Sequence, residues 1–135
     1  MSPERRALAE LADVLVVARQ FAEALTGLSN LQDCAQALLD LGAHTVVITE
    51  GAAGSYGWTA DGETFYQPSF DVEVVDTTGA GDVYHGAFLV GLIQGWPLPQ
   101  NMAFASATAA LKCTHVGGRA GIPTRREVEQ FLFTL

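Results

Sequence analysis

The stretch Asp76-Thr77-Thr78-Gly79-Ala80-Gly81-Asp82 decides the fold, because it joins a short apolar run at residues 72–75 to a helix-like segment at residues 83–94. Small residues at the start of a helix let the backbone turn tightly, and they leave the first-turn N–H groups without partners inside the helix. Together with the helix dipole, such amides form a site for negative charge, including the charge that develops on a transferred phosphoryl group. The stretch therefore predicts an anion site at a helix start.

Asp82 stands directly beside these small residues. Its carboxylate would repel a phosphate, but it can accept the proton of a hydroxyl that attacks the γ-phosphate of a nucleotide. Alternatively, Asp82 only stabilises the helix N-terminus and the glycines only serve the turn, and the spacing leaves both interpretations open. A dinucleotide-binding turn is disfavoured because the third glycine of G-x-G-x-x-G is missing, and no Walker-type G-x-x-x-x-G-K-[ST] loop occurs.

Two β-branched apolar runs lie upstream, at residues 14–17 and 45–49. Each is too short for a convincing helix and suits a buried strand of a parallel sheet. Between them, Ser29 and Gln32 have capping-box spacing ahead of apolar residues at helical intervals, and Gly42 supplies a stop. This part of the chain predicts a strand, a helix and a second strand.

A hairpin is predicted next, because Asp61-Gly62 separates two strand-like runs at residues 55–59 and 64–67. Further helices are predicted at residues 2–12, after Ser2-Pro3, at residues 101–111, and from a second capping box of Thr124 and Glu127 onward. The chain therefore combines strands and helices around one antiparallel turn.

Length and composition exclude several classes of protein. The 135 residues and 14.3 kDa suffice for one compact domain, and they are too few for two of ordinary size. Lys and Arg number 7 against 15 Asp and Glu, and the net charge of −8 argues against nucleic acid as a partner. Cys34 and Cys113 lie in apolar stretches, which predicts reduced thiols and a cytoplasmic location. We expect neither export nor a membrane span, because no apolar h-region and no long apolar run occurs.

The central stretch, followed by Tyr84, Gly86, Ala87 and Phe88, strongly resembles the signature of the ribokinase-like, or PfkB, family of carbohydrate kinases. Upstream, residues 49–54 are similar to the family's T-x-G-x-x-G turn. Downstream, the similarity continues through residues 104–110, Thr114, Gly117, Gly118, Ile122 and Pro123. The resemblance implies an α/β fold, namely the C-terminal portion of a ribokinase-like three-layer sandwich with a partial parallel sheet, one β-hairpin and flanking helices.

The resemblance also implies an activity, which is the transfer of the γ-phosphoryl group of ATP to the hydroxyl of a small sugar. Asp82 matches the catalytic base, and Gly79, Ala80 and Gly81 match the anion hole. The predicted nucleotide contacts are Thr49, Gly51 and Gly54, in a turn along the ATP phosphates and ribose, and Ser106, on a helix that borders the adenine. A monovalent cation such as K⁺ is expected at Asp76, Thr78, Lys112, His115 and Gly117, mostly through backbone oxygens.

The sequence departs from the family pattern after the first predicted strand. Many family members carry N-x-x-E there, where it organises Mg²⁺, but this chain has Ala18-Arg19-Gln20-Phe21. Mg²⁺ must still neutralise the phosphates, so we expect ATP and water to hold it, or Glu23 or Glu50 if they reach.

The second departure is length, because family kinases are much longer than this chain. The resemblance implies that residues 1–135 form the C-terminal ATP-binding and catalytic part, and that the N-terminal sugar-binding and lid part is absent. We therefore expect a fragment with low activity alone, which pairs with the missing part or forms a homo-oligomer. The alternatives are a non-catalytic nucleotide-binding or interaction fragment and a nucleoside kinase of the same fold.

Overall fold

The computed structural model describes residue 3, residues 13–117 and residues 121–134. The chain divides into two compact units, Met1–Tyr66 and Gln67–Leu135, where its length alone suggested one core. The helix predicted at residues 2–12 lies outside the described residues, apart from residue 3, and so does Gly118 of the downstream motif. Among the helices of the described ranges, none is long and apolar enough to cross a lipid bilayer.

The first unit is built on a four-stranded sheet, whose last strand ends at the boundary between the two units. Its strands are β1 (Val14–Ala18), β2 (Thr45–Thr49), β3 (Ser55–Thr59) and β4 (Thr64–Gln67), adjacent in that order. β1 pairs in parallel with β2, from Val14 opposite Thr45 to Ala18 opposite Thr49, and β3 runs antiparallel to β2. All four predicted strands of this unit are confirmed, and the parallel register brings the ends of β1 and β2 to the same edge.

Two α-helices lie within residues 13–66 of the first unit. The first helix, α1 (Arg19–Thr26), follows β1 directly and was not predicted from the sequence. The second, α2 (Leu31–Asp40), was predicted. The capping box assigned to Ser29 and Gln32 is wrong, because Asn30 is the N-cap and its side chain accepts the Asp33 N–H at 3.1 Å. Asn and Ser are equally good caps, so the choice between neighbouring residues depends on how the chain enters the helix. The helices and the sheet share a hydrophobic core formed by Val17, Ala22, Leu25, Cys34, Ala35, Leu38, Ala43, Val46 and Ile48.

The described residues of the second unit contain three helices: α3 (Ala80–Gln94), α4 (Leu98–Lys112) and α5 (Arg125–Phe133). α5 begins with the predicted capping box, in which Thr124 and Glu127 each accept the other's backbone N–H. α3 and α4 approach closely at Gly91, where a Cβ atom would lie 2.1 Å from Asn101 Oδ1. The apolar run at residues 72–75 forms no strand, and Val75 N–H instead donates to Cys113 C=O just after α4.

Candidate functional site

The turn before α3 has the geometry of a tight backbone turn that only glycine completes without strain. Gly79, the N-cap of α3, has φ 77° and ψ 4°, and Ala80 N–H donates to Thr77 C=O at 3.1 Å. These angles and this bond match the third position of a type II turn, which requires positive φ. Val83 N–H then donates to Gly79 C=O at 3.0 Å and starts the helix.

The turn leaves fewer open amides than the sequence suggested. We expected the N–H groups of residues 79–81 to lack internal partners, but the Ala80 amide closes the type II turn and is therefore used. Within the described ranges, the amides of Gly79 and Gly81 make no hydrogen bond, and neither does that of Asp82. Two of the three predicted donors remain available to an anion.

Asp82 lies on the first turn of α3 and is exposed. In the part of the chain that the structure describes, its carboxylate forms no hydrogen bond and no ion pair. A carboxylate near a helix N-terminus is stabilised by the dipole, so the structural interpretation of this residue also fits. The position nevertheless leaves the oxygens able to receive a proton from a bound hydroxyl.

A cavity of about 670 Å³ adjoins Asp82 within the second unit. Its wall combines residues of the turn, of all three helices and of the segment before α5: Thr78, Gly79, Asp82, Val83, Gly86, Ala87, Val90, Phe104, Thr108, Ile122, Pro123, Arg125 and Val128. Phe104 and Thr108 are four residues apart, so they share a face of α4, whereas Ser106 between them is half-buried and does not line this cavity. Sequence analysis missed Thr108 and Arg125, although the four-residue spacing from Phe104 was a usable signal for Thr108.

The other glycine-rich turn, residues 49–54, lies in the first unit at the end of β2. Gly51 and Gly54 have φ of 54° and 98°, so both positions favour glycine. Glu50 N–H donates to Gly54 C=O at 2.8 Å, and Tyr66 Oη donates to Ala53 C=O at 2.8 Å. The turn is thus closed by its own backbone and tied to the hairpin by one side chain.

Arg19 is a residue at this turn that the sequence analysis missed. Its guanidinium contacts Glu23 Oε1 at 2.8 Å, Glu50 Oε1, and the Ser29 carbonyl at 3.2 Å. These carboxylates, Glu23 first, raise the pKa of Arg19 above its ordinary value. Because Ala18 pairs with Thr49, the next residues of the two strands meet at one edge, and this register was the signal for the contact.

The Arg19 contacts bear on the expected magnesium site. Glu23 and Glu50, the two carboxylates considered for Mg²⁺, are already paired with the same guanidinium. The described residues also contain no group of three or more His, Cys, Asp and Glu side chains arranged to hold a metal ion. These side chains do not fit a protein-held Mg²⁺ site.

Four of the five residues assigned to a monovalent cation come together in the second unit. Asp76 Oδ1 accepts the Thr78 N–H at 2.9 Å and the Thr78 hydroxyl at 2.6 Å, and Asp76 Oδ2 accepts the Gly117 N–H at 2.9 Å. These bonds, the Thr78 hydroxyl first, lower the pKa of Asp76 to about 2. Lys112 Nζ donates to the Gly117 carbonyl, while the exposed His115 ring lies 3.0 Å from Thr114 Oγ1 and has no described bond to the cluster.

The family model and the sequence relatives that match this chain are both carbohydrate kinases. The family described as pfkB family carbohydrate kinase matches residues 2–125. A 5-dehydro-2-deoxygluconokinase from Geobacillus thermodenitrificans (strain NG80-2) is 39% identical over 98 residues, which are 73% of this chain and 29% of that relative.

Solved structures agree with this assignment. An E. coli protein described as a ribokinase II, in complex with ATP and Mg²⁺, matches with a TM-score of 0.91 at 27% identity. The matched region covers 97% of this chain and 42% of the E. coli chain. Aminoimidazole riboside kinase from Salmonella enterica, complexed with aminoimidazole riboside and an ATP analogue, has a TM-score of 0.82 at 35% identity, with 94% and 44% covered. The chain spans less than half the length of these relatives, and the predicted ribokinase-like fold is confirmed for that portion.

Proposed function

We propose that this chain, which belongs to the pfkB family of carbohydrate kinases, supplies the ATP-binding and catalytic part of a kinase that phosphorylates a sugar hydroxyl. The observation that supports this proposal most directly is that, among the residues the structure describes, the Asp82 carboxylate has no partner and lies beside the open amides of Gly79 and Gly81. The E. coli relative of the same fold was solved with ATP and Mg²⁺, which supports ATP as the phosphoryl donor.

In the proposed reaction, Asp82 accepts the proton of the acceptor hydroxyl as its oxygen attacks the γ-phosphorus. A P–O bond to the sugar forms, the bond from the γ-phosphorus to the bridging oxygen breaks, and ADP leaves with the electron pair. The amides of Gly79 and Gly81 donate to the γ-phosphoryl oxygens, where negative charge must be stabilised in the transition state.

The turn at residues 49–54 is proposed to contact the ATP phosphates and ribose. Ser106 is proposed to lie beside the adenine. Among the described residues, the amides of Gly51 and Ala52 have no hydrogen-bond partner, so this turn also offers donors to an anion. Mg²⁺ would neutralise the phosphates. ATP and water would hold it, because Glu23 and Glu50 are paired with Arg19.

The acceptor is proposed as a small polyol of the sugar or sugar-acid class. One relative is named for a deoxygluconate derivative and another for a riboside, so a nucleoside acceptor is the second candidate. The relatives are more than twice as long, and we propose that the sugar-binding walls come from a further segment or partner. Without those walls the hydroxyl is not held in line with ATP, so low turnover is expected for the chain alone.

The test compares binding with transfer. The 135-residue chain is titrated with ATP and Mg²⁺, and it is also fused to the N-terminal portion of the E. coli relative and assayed for sugar-dependent ADP release. Asp82→Asn should lower transfer by about 10²- to 10⁴-fold while leaving ATP binding nearly unchanged. Binding of ATP with no transfer by the wild-type fusion would favour a non-catalytic nucleotide-binding module. Absence of ATP binding would overturn the proposal.

A further inference from the structure

Lys112, the last residue of α4, is the only described lysine and has a fully buried side chain. A buried ammonium needs a compensating partner, because its transfer out of water is costly. Here it donates to the Gly117 carbonyl, it lies at a helix C-terminus, where the dipole favours a positive charge, and its charge acts on Asp76.

The oxygens of this cluster that are expected to bind a cation already accept hydrogen bonds. The Gly117 carbonyl accepts the Lys112 ammonium, and the Lys112 carbonyl accepts the His115 N–H at 3.2 Å. The Asp76 carboxylate is held by Thr78 and by the Gly117 N–H. A second monovalent cation among these groups would lie beside a fixed positive charge and would compete with the ammonium for the Gly117 carbonyl, so the residues do not fit the K⁺ site assigned to them from the resemblance.

We infer that the Lys112 ammonium is a built-in cation that replaces a bound monovalent ion in this chain. In this arrangement Lys112 holds Gly117, Gly117 holds Asp76, and Asp76 holds Thr78, the residue before Gly79. Lys112 is therefore a positioning residue for the anion-binding turn. Where the proposed function holds, it follows that phosphoryl transfer needs no added K⁺.

The first test uses the unaltered chain and measures ion binding, so its outcome does not depend on kinase activity. The midpoint of thermal unfolding is measured in about 100 mM KCl, NaCl or N-methyl-D-glucamine chloride, which screen surface charges equally. We expect the same midpoint in all three. A saturable rise of several degrees in KCl alone, or specific binding of Tl⁺ as a K⁺ probe followed by thallium NMR, would overturn the inference.

The second test makes room for an external cation. Lys112→Ala removes the ammonium and leaves a cavity, so its unfolding midpoint should fall, and added K⁺ or ammonium should restore part of the loss. Met102→Ala, at another fully buried position of α4, is the matched control, and its loss should be the same in every salt. Equal salt responses of the two variants would mean that Lys112 only fills space. If Lys112→Ala does not fold, the unaltered chain decides the question.

The inference and the proposed function can fail separately. A chain that binds ATP and also gains stability from K⁺ would keep the proposed function and lose the inference. A chain that binds no ATP and shows no K⁺ response would do the reverse. Measuring both the ATP affinity and the unfolding midpoint in KCl and in NaCl on one sample separates these outcomes.

Discussion

The two glycine-rich turns of this chain look alike in sequence and differ in what anchors them. The turn at residues 76–82 opens a fifteen-residue helix, is tied by Asp76 to Gly117, and leaves the Asp82 carboxylate unpaired within the described ranges. The turn at residues 49–54 is closed by the backbone hydrogen bond from Glu50 to Gly54. It is also bound by the side chains of Arg19 and Tyr66. A glycine motif thus permits a tight turn, but the surrounding charges decide its chemistry. Under the proposed function, the first turn serves catalysis and the second serves nucleotide binding.

The largest effect should come from the glycine that shapes the proposed catalytic turn. Gly79→Ala forces a positive φ on alanine, at a cost of about 1–2 kcal/mol, and shifts the neighbouring amides, so we expect transfer by the fusion to fall by about 10²-fold or more. The matched variant is Gly81→Ala, since Gly81 lies in the helix with open space around a Cβ atom and keeps its amide. Equal losses in the two variants would show that the turn conformation is unimportant.

The second prediction concerns the ion pair between Arg19 and Glu50 at the turn of residues 49–54. Arg19→Met frees Glu50, so the turn is held less firmly and ATP binding should weaken by up to about fivefold, with only a small change in stability because the pair is partly exposed. Glu129→Gln breaks a more exposed i,i+4 ion pair with Arg125, away from the turn at residues 49–54, and is the control. An unchanged ATP affinity for Arg19→Met, measured by calorimetry, would mean that the turn needs no such anchor.

The pH dependence of stability should report on the first turn. The pKa of Asp76 is about 2 in the folded chain against an ordinary value of 3.8, so the stabilisation is complete above pH 4 and is lost as the pH falls toward 2. Asp76→Asn should therefore be less stable than the unaltered chain at pH 5, and the gap should narrow below pH 4. Denaturant midpoints across this range provide the measurement, and a constant gap would contradict the assignment.

The smallest effect should come from the tie between the second turn and the hairpin. Tyr66→Phe removes the hydroxyl that donates to Ala53 C=O, which should cost at most about 1 kcal/mol because the group is exposed. Tyr56→Phe is the control, since its ring stacks on Trp58 and packs at a tilt against Tyr66, and its hydroxyl makes no bond to the described residues of the turn. Chemical denaturation distinguishes the two variants, and equal stabilities would show that the bond contributes nothing.

Local sequence patterns predicted much of the fold. The apolar runs gave the four strands, Asp61-Gly62 gave the hairpin, and Thr124 with Glu127 gave the start of α5. These signals work because each depends on residues close together in the chain. α1 was missed because it has no side-chain cap, its N-cap being Ala18.

The candidate site was less predictable, because its decisive contacts are long-range or depend on backbone angles. The loss of the Ala80 amide follows from the type II turn, which the residue types alone do not specify. The pairing of Arg19 with Glu50 joins residues 31 positions apart and follows from the strand register. Lys112 was assigned through its backbone oxygen, whereas its side chain enters the cluster, and no periodicity indicates that direction.

The central claim is that the amides of Gly79 and Gly81 bind the terminal phosphate while that of Ala80 does not. Titrating ATP and Mg²⁺ into ¹⁵N-labelled chain tests it directly by the backbone amide resonances. We predict large shifts for Gly79 and Gly81, a small one for Ala80, and slower hydrogen exchange at the two glycines. Saturated ATP binding that leaves both glycine amides unmoved would contradict the account.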